Sequence, residues 1–259
     1  MQYIRPCRTG QLAIPSERPS YKAMILAAGR GERMRPLTDH VPKPLLKAGG
    51  KALIEYQLIN LARAGFVDIV INHAYLGEKI EQALGSGARY GVNIQYSPEA
   101  VVLETAGGIA NALPLLTGQS GNVPFLVVNA DIYCEMDYGL LIPVLRAMQH
   151  RSGQFLAHLV LVDNPAHHSE GDFAVRDGLV TLAETGRLTF SGIGVYQPQL
   201  FRDIEPGQAV KLASLLRHAI AERKVGEQHY SGQWIDVGTP ERLKILDEQL
   251  SLNSKLNDT

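Results

Sequence analysis

The 259-residue sequence has only two cysteines, Cys7 and Cys134. That is too few for a disulfide framework or a cysteine-based zinc site, and a reducing, cytoplasmic compartment is expected. An excess of one charge is also missing, since 25 Lys and Arg face 26 Asp and Glu for a formal net charge of −1. A chain without a basic surplus lacks the electrostatic footprint of a nucleic-acid binder. No apolar run reaches the roughly 18 residues of a membrane span. The longer runs, such as residues 155–162, have the length of a strand. Internal repeats, low-complexity stretches and Gly/Ser linkers are absent as well. With 45% apolar and 20% charged residues, the composition is that of a globular chain.

Charge is uneven at one end. Residues 1–22 carry Arg5, Arg8, Arg18 and Lys22 against Glu17 alone, together with Pro6, Pro15 and Pro19. They hold no apolar core of signal-peptide length, and the prolines oppose an amphipathic transit helix. They read as an extension outside the fold. The fold itself is expected over residues 23–250, followed by a tail over 251–259.

From residue 23 apolar runs alternate with helical patterns. Strands are predicted at 23–28, 67–72, 93–96, 125–128 and 155–162. Helices are predicted at 53–64, 76–84, 107–113 and 140–150. This alternation predicts an α/β fold: a mixed, mostly parallel Rossmann-like sheet sandwiched by helices. Beyond it, short strands at 173–175, 180–183, 193–196 and 233–237 and helices at 210–223 and 240–250 read as a smaller lobe on the same sheet. Ligands in such sheets bind beyond the carboxyl ends of the strands.

Two sequence features stand at such ends. The first is Leu26-Ala27-Ala28-Gly29-Arg30-Gly31-Glu32-Arg33-Met34-Arg35-Pro36-Leu37-Thr38. Glycines let backbone N–H groups approach phosphate oxygens, and guanidinium groups match phosphate geometry. The loop is neither a P-loop nor a dinucleotide fingerprint, because the Lys-Ser/Thr pair and the third glycine are missing. Pro42-Lys43-Pro44 follows, a lysine on a stiffened loop. The second feature is Asp131, which ends an apolar strand. Asp236 sits in Trp234-Ile235-Asp236-Val237-Gly238-Thr239-Pro240. Two carboxylates together with phosphate oxygens are a common way to hold Mg²⁺. Either aspartate also suits a turn or a cap. Glu104-Thr105-Ala106-Gly107-Gly108 offers a flat backbone floor for a base or ribose, or simply a helix start. Adjacent His167 and His168 read as solvated loop residues, and Cys134 as a small core residue.

In this order, the motifs resemble those of the sugar-1-phosphate nucleotidylyltransferases over about residues 23–248. The resemblance implies an Mg²⁺-dependent nucleotidyltransferase with a Rossmann-like sheet and a small sugar-binding lobe. It implies that Ala28, Gly29, Gly31, Arg33, Glu99, Thr105 and Gly107 hold the nucleotide. It assigns Lys43, Gly171, Glu184, Ser191 and Gly192 to the sugar phosphate. Asp131 and Asp236 are the implied metal ligands, and Arg33 and Lys43 the catalytic cations. Three phrases, Glu104–Ile109, Gly171-Asp172-Phe173 and Leu188–Ile193, resemble the short bacterial branch that lacks a C-terminal β-helix or acyltransferase domain. The resemblance to that branch implies UTP and N-acetylmuramic acid 1-phosphate as substrates, in cell-wall recycling, and a monomer with no nucleic-acid or membrane partner is expected. One departure stands out, because Ala183-Glu184-Thr185-Gly186 replaces the Glu-Lys-Pro of many relatives. Lys43, Arg35 or the metal then carries more of the sugar-phosphate charge.

The base remains open at this level. Uracil offers one donor between two carbonyls, whereas guanine offers two adjacent donors that a carboxylate accepts together. Glu99 or Gln95 suits either, so a mannose- or heptose-1-phosphate guanylyltransferase is the alternative. A non-catalytic nucleotide-binding regulatory subunit is the second. A nicotinamide-dependent dehydrogenase is disfavoured by the missing glycine. The carboxylate of N-acetylmuramate calls for a cation near the sugar, with Arg187 and Arg202 as candidates.

Overall fold

The computed structural model describes residues 21–118 and 121–257. The first twenty residues of the expected extension lie outside them. Tyr21 and Lys22, assigned to that extension, belong to the fold. Tyr21 is buried and its hydroxyl donates to Gln149 Oε1 at 2.7 Å, while Lys22 Nζ donates to the Leu115 carbonyl at 2.6 Å.

In chain order the elements are β1 (Ala23–Leu26), β2 (Lys47–Ala48), β3 (Lys51–Ala52), α1 (Leu53–Arg63), β4 (Asp68–His73), α2 (Gly77–Leu84), β5 (Asn93–Pro98), α3 (Glu104–Thr117), β6 (Phe125–Asn129) and β7 (Ile132–Cys134). They continue with α4 (Ile142–His150), β8 (Ala157–Val162), β9 (Phe173–Arg176), β10 (Leu179–Thr181), β11 (Arg187–Tyr196), α5 (Leu212–Ala221), β12 (Val225–Tyr230), β13 (Trp234–Asp236) and α6 (Pro240–Asn257).

Nine strands form one sheet in the order β5-β4-β1-β6-β11-β8-β12-β10-β9. Strands β5, β4, β1 and β6 run parallel, as does β12 beside β8. The pairings of β11 with β6, β8 and β9, and of β10 with β12 and β9, are antiparallel. The sheet is thus evenly mixed, where a mostly parallel one was expected. The reason is β11: it is ten residues long and enters between two parallel groups, reversing direction on both sides.

The two faces of the sheet follow the period-2 alternation of a strand. Ala23 and Ile25 of β1 and Leu126 and Val128 of β6 pack into a core with Ile54, Leu58 and Leu61 of α1, Ile80 of α2 and Leu145 of α4. Met24, Phe125 and Val127 point the other way, toward Ile109 and Ala112 of α3 and Leu216 and Ala219 of α5. Helices therefore cover both faces, and functional loops are confined to the strand ends. Leu26 pairs with Asn72 on one side and with Asn129 on the other, so β1, β4 and β6 end at one level.

Several boundaries differ from the sequence reading. Helix α3 begins at Glu104 and runs to Thr117, through Pro114. Helix α6 continues to Asn257, so residues 251–257 of the expected tail are its last turns. Strands β2, β3, β7 and β12 have no counterpart in the prediction. Among the described residues, no helix is long and apolar enough to cross a membrane.

Candidate active site

The loop after β1 is held from beneath. Ala27 N–H donates to Asn72 Oδ1 at 3.0 Å, and Asn72 Nδ2 donates to Glu99 Oε1 at 2.7 Å. Leu103 N–H donates to Glu99 Oε2 at 2.9 Å. Buried Glu99 therefore braces the glycine loop against the start of α3, with both its oxygens engaged. Gly108 makes this approach possible, since a Cβ there would lie 2.6 Å from Glu99 Oε1. The resulting cleft is lined by Ala28, Gly29, Lys43, Glu99, Thr105 and Asp131, among others. Gly31 follows with φ +66°, a conformation costly for any other residue, and Thr38 Oγ1 donates to its carbonyl at 2.9 Å to close the arginine-rich turn.

The two aspartates, far apart in sequence, meet through a small antiparallel pair. In the β7–β13 ladder Asp236 stands opposite Ile132, and Val237 N–H donates to the Asp131 carbonyl at 2.8 Å. Both carboxylates line one cleft, with Arg33, Ser191, Gly192, Trp234 and Arg242 around them. Each has its own cation. Lys43, buried between Pro42 and Pro44, is ion-paired through Nζ with Asp131 Oδ2. Arg242 Nη1 lies 2.6 Å from Asp236 Oδ1, His167 Nε2 lies 2.8 Å from the same oxygen, and Arg242 and His167 also touch. This donor set suits a hard cation: two carboxylates facing a cleft with room for phosphate and water. No group of three or more His, Cys, Asp or Glu side chains that could hold a metal by itself occurs among the described residues. Mg²⁺, which keeps several waters and takes only one or two carboxylates plus substrate phosphates, fits such a site; structural Zn²⁺ does not.

The cleft floor comes from β11. Trp234 Nε1 donates to the Ser191 carbonyl at 2.9 Å, tying β13 to that strand. The Ser191 hydroxyl itself donates to the Val160 carbonyl at 2.7 Å and accepts from Ile193 N–H at 3.1 Å. It is fully buried, so Ser191, assigned by the resemblance to the sugar phosphate, meets the cleft through its backbone rather than its hydroxyl. Gly192 lines this cleft and a neighbouring one beneath Thr105 and Lys211, and Asn129 lines all three.

Other expected residues fall elsewhere. Gly107 does not line the cleft beside Gly29: its open face turns to the Gln208 carbonyl, which a Cβ would meet at 2.2 Å. Gly171, with φ +64°, packs against Asn164 and Arg187 behind the floor. Glu184 sits in the exposed turn between β10 and β11 and lines none of the three clefts. Arg33 faces the cleft of the two aspartates rather than the one beside Gly29. Arg35 pairs with Asp39 at 3.4 Å on the surface, and Gln95 is exposed on edge strand β5. Arg187 Nε donates to the Ala183 carbonyl at 2.9 Å, and Arg202 is exposed; neither lines a cleft beside the aspartates.

The sequence reading missed Asn72, Asn129 and Arg242, and it dismissed the histidine pair. His167 and His168 are not simply solvated, since both line the aspartate cleft. A signal for Arg242 was present. Thr239-Pro240 is a cap followed by an N1 proline, so a helix must start there and fold its first turn back over Asp236.

A strand-end cleft with a glycine-rich turn, a buried lysine and two facing carboxylates is the apparatus of an α/β enzyme that handles nucleoside phosphates. The chain belongs to the nucleotidyl transferase family, whose model matches residues 22–173. It is 54% identical over 228 residues to the N-acetylmuramate alpha-1-phosphate uridylyltransferase of Neisseria meningitidis, covering 86% of this chain and 95% of that one. It is 33% identical over 238 residues to the protein of the same name from Caulobacter vibrioides, covering 88% and 96%. Its fold is similar to that of a putative glucose-1-phosphate thymidylyltransferase from Bacillus anthracis solved with sucrose. The TM-score is 0.76 at 20% identity, covering 89% of this chain and 95% of that one.

Proposed function

We propose that the enzyme transfers UMP from UTP to N-acetylmuramic acid 1-phosphate, releasing pyrophosphate and forming UDP-N-acetylmuramic acid for cell-wall recycling. The observation carrying this reading is the 54% identity to the Neisseria uridylyltransferase across nearly its whole length. A phosphate oxygen of the sugar 1-phosphate attacks the α-phosphorus of UTP in line. The new O–P bond forms as the bond to the bridging oxygen breaks, and its electron pair leaves with pyrophosphate. No covalent enzyme intermediate is required, so positioning and charge neutralisation supply the catalysis.

In this reading the turn at Ala28 and Gly29 and the start of α3 at Thr105 receive the nucleotide. Lys43 and Arg33, each lining a cleft that Asp131 also lines, offset the phosphate charge. Asp131 and Asp236 would hold Mg²⁺, which when bound neutralises charge on the phosphates. The β9–β11 region, with Gly192 at its floor, serves as the sugar lobe. Glu99 accepts from Leu103 N–H and Asn72 Nδ2 and in this reading braces the turn that receives the nucleotide.

A matrix of UTP, GTP, CTP and dTTP against muramate, glucosamine, glucose, mannose and heptose 1-phosphates, read by pyrophosphate release, tests the proposal. UTP with N-acetylmuramic acid 1-phosphate is expected to be the best pair. A better rate with GTP overturns it in favour of a guanylyltransferase, and no release with any pair in favour of a regulatory subunit. Asp131→Asn and Asp236→Asn are expected to lower kcat by at least ~10²-fold while the circular dichroism spectrum stays native.

A further inference from the structure

We infer that Arg242, steadied by His167, is the cation that reads the lactyl carboxylate of the sugar substrate. The inference rests on the proposed function, because it concerns the group that distinguishes N-acetylmuramic acid from N-acetylglucosamine. Such a carboxylate calls for a cation beside the sugar. The two arginines that the sequence offered, Arg187 and Arg202, line no cleft beside the aspartates. Arg33 lines the same cleft but is exposed, and Lys43 is committed to Asp131. Arg242 is the largely buried guanidinium of that cleft. It lines the cleft together with Gly192 and Trp234, and its side chain is only 15% exposed.

Its donors are not all spent. Nη1 meets Asp236 Oδ1 at 2.6 Å, while Nε is shielded from solvent and has no hydrogen-bond partner among the described residues, so an anion reaches it when the side chain shifts toward the cleft. A guanidinium carries five donors in a planar fork that fits a carboxylate in bidentate fashion. Asp236 is moreover a shared anion, touched by Arg242 and His167 and assigned above to the metal. A largely buried guanidinium whose counter-ion is drawn toward another cation is destabilised. An anion arriving with the sugar restores the balance. Gly238 lets the guanidinium lie flat against the backbone, since a Cβ there would be 2.1 Å from Arg242 Nη2. His167, on the short turn Ala166–His168, touches the same Nη1 and lies 2.8 Å from the same Asp236 oxygen, and it acts as a positioning residue.

The experiment compares N-acetylmuramic acid 1-phosphate with N-acetylglucosamine 1-phosphate, which lacks only the lactyl group. Kinetics supply kcat/KM, and calorimetry on metal-free protein supplies Kd for the two free sugars. The native chain is expected to prefer the muramate by about 10²-fold. Arg242→Gln shrinks that preference at least ~10-fold through KM for the muramate and weakens its Kd, and Arg242→Lys falls between. If Arg242→Gln does not fold, His167→Ala on its exposed turn serves instead and lowers the preference several-fold. Loss of both activities by one common factor overturns the inference, because Arg242 then only positions Asp236. A native chain that prefers the glucosamine derivative overturns the proposed substrate instead.

Discussion

At the scale of single residues, one absent methyl group decides whether Glu99 can brace the glycine-rich turn after β1. A Cβ on Gly108 would lie 2.6 Å from Glu99 Oε1 and 2.8 Å from Asn72 Nδ2, whereas a Cβ on Gly29 would meet nothing within 4 Å. Gly108→Ala is therefore expected to cost about 1–3 kcal/mol by overpacking and to raise KM for UTP. Gly29→Ala should leave stability within ~0.5 kcal/mol. Urea titrations of the two variants check the contrast. Both glycines are visible in the sequence, but their different tolerances are not, because tolerance depends on what the fold brings above each one. The same holds for hydroxyls and carboxylates. Ser191 stands inside a recognisable phrase, yet its hydroxyl is spent on the Val160 carbonyl of the neighbouring strand. Asp131 and Asp236 were legible as candidates because each follows apolar residues at a strand end.

At the scale of elements, α6 does two jobs. Thr239 caps it, accepting from Arg242 N–H through Oγ1 at 3.4 Å, and Pro240 opens it. That first turn carries Arg242 back to Asp236. Farther along, Leu246 is fully buried beside Leu53 and Val237, and Asp247 Oδ1 accepts from Gly49 N–H at 2.8 Å. Thr239→Ala is expected to cost ~0.5–2 kcal/mol as a lost N-cap, and to lower activity because the turn holding Arg242 frays. Leu246→Ala should cost about 2–5 kcal/mol as a core cavity, with kcat preserved in the molecules that remain folded. Thermal melts alongside kinetics separate the two. Strands β1, β4, β5 and β6 and helices α1 and α2 were legible from periodicity, since each buries an apolar face of its own, whereas the two-residue strands β2 and β3 are too short to carry a pattern. Strand β12 was not. Its sequence Val225-Gly226-Glu227-Gln228-His229-Tyr230 is largely polar, and it is a strand because β8 supplies a parallel partner along its whole length. Helix α3 was placed too late because its first residue, Glu104, adopts φ +59°, which no propensity anticipates.

At the scale of the whole molecule, the packed sheet exerts control over protons. His158 on β8 is half-buried, its Nε2 is shielded from solvent with no hydrogen-bond partner among the described residues, and burial pushes its pKa down from 6.5 to about 4. The unfolded chain then binds a proton as pH falls through about 6.5, while the folded chain resists until about 4. Stability from a neutral His158 is fully present above the unfolded value and declines across that window, by up to about 3 kcal/mol. Urea midpoints measured from pH 7 to pH 4 should fall less steeply for His158→Leu than for the native chain. The sequence by itself determined the class of chemistry: a glycine- and arginine-rich turn, a proline-flanked lysine and two strand-end aspartates, in that order, on an alternating α/β pattern. These are local signals, set by residue type and short spacing. Only the tertiary structure decided which of those groups meet. Asp131 and Asp236 share a cleft because β7 and β13 pair across a long gap in the chain, Glu99 is a brace because α3 descends on it, and Arg242 rather than Arg187 faces the site because α6 folds back. Each outcome depends on which distant strand or helix lies alongside, and that is settled by packing the whole sheet at once.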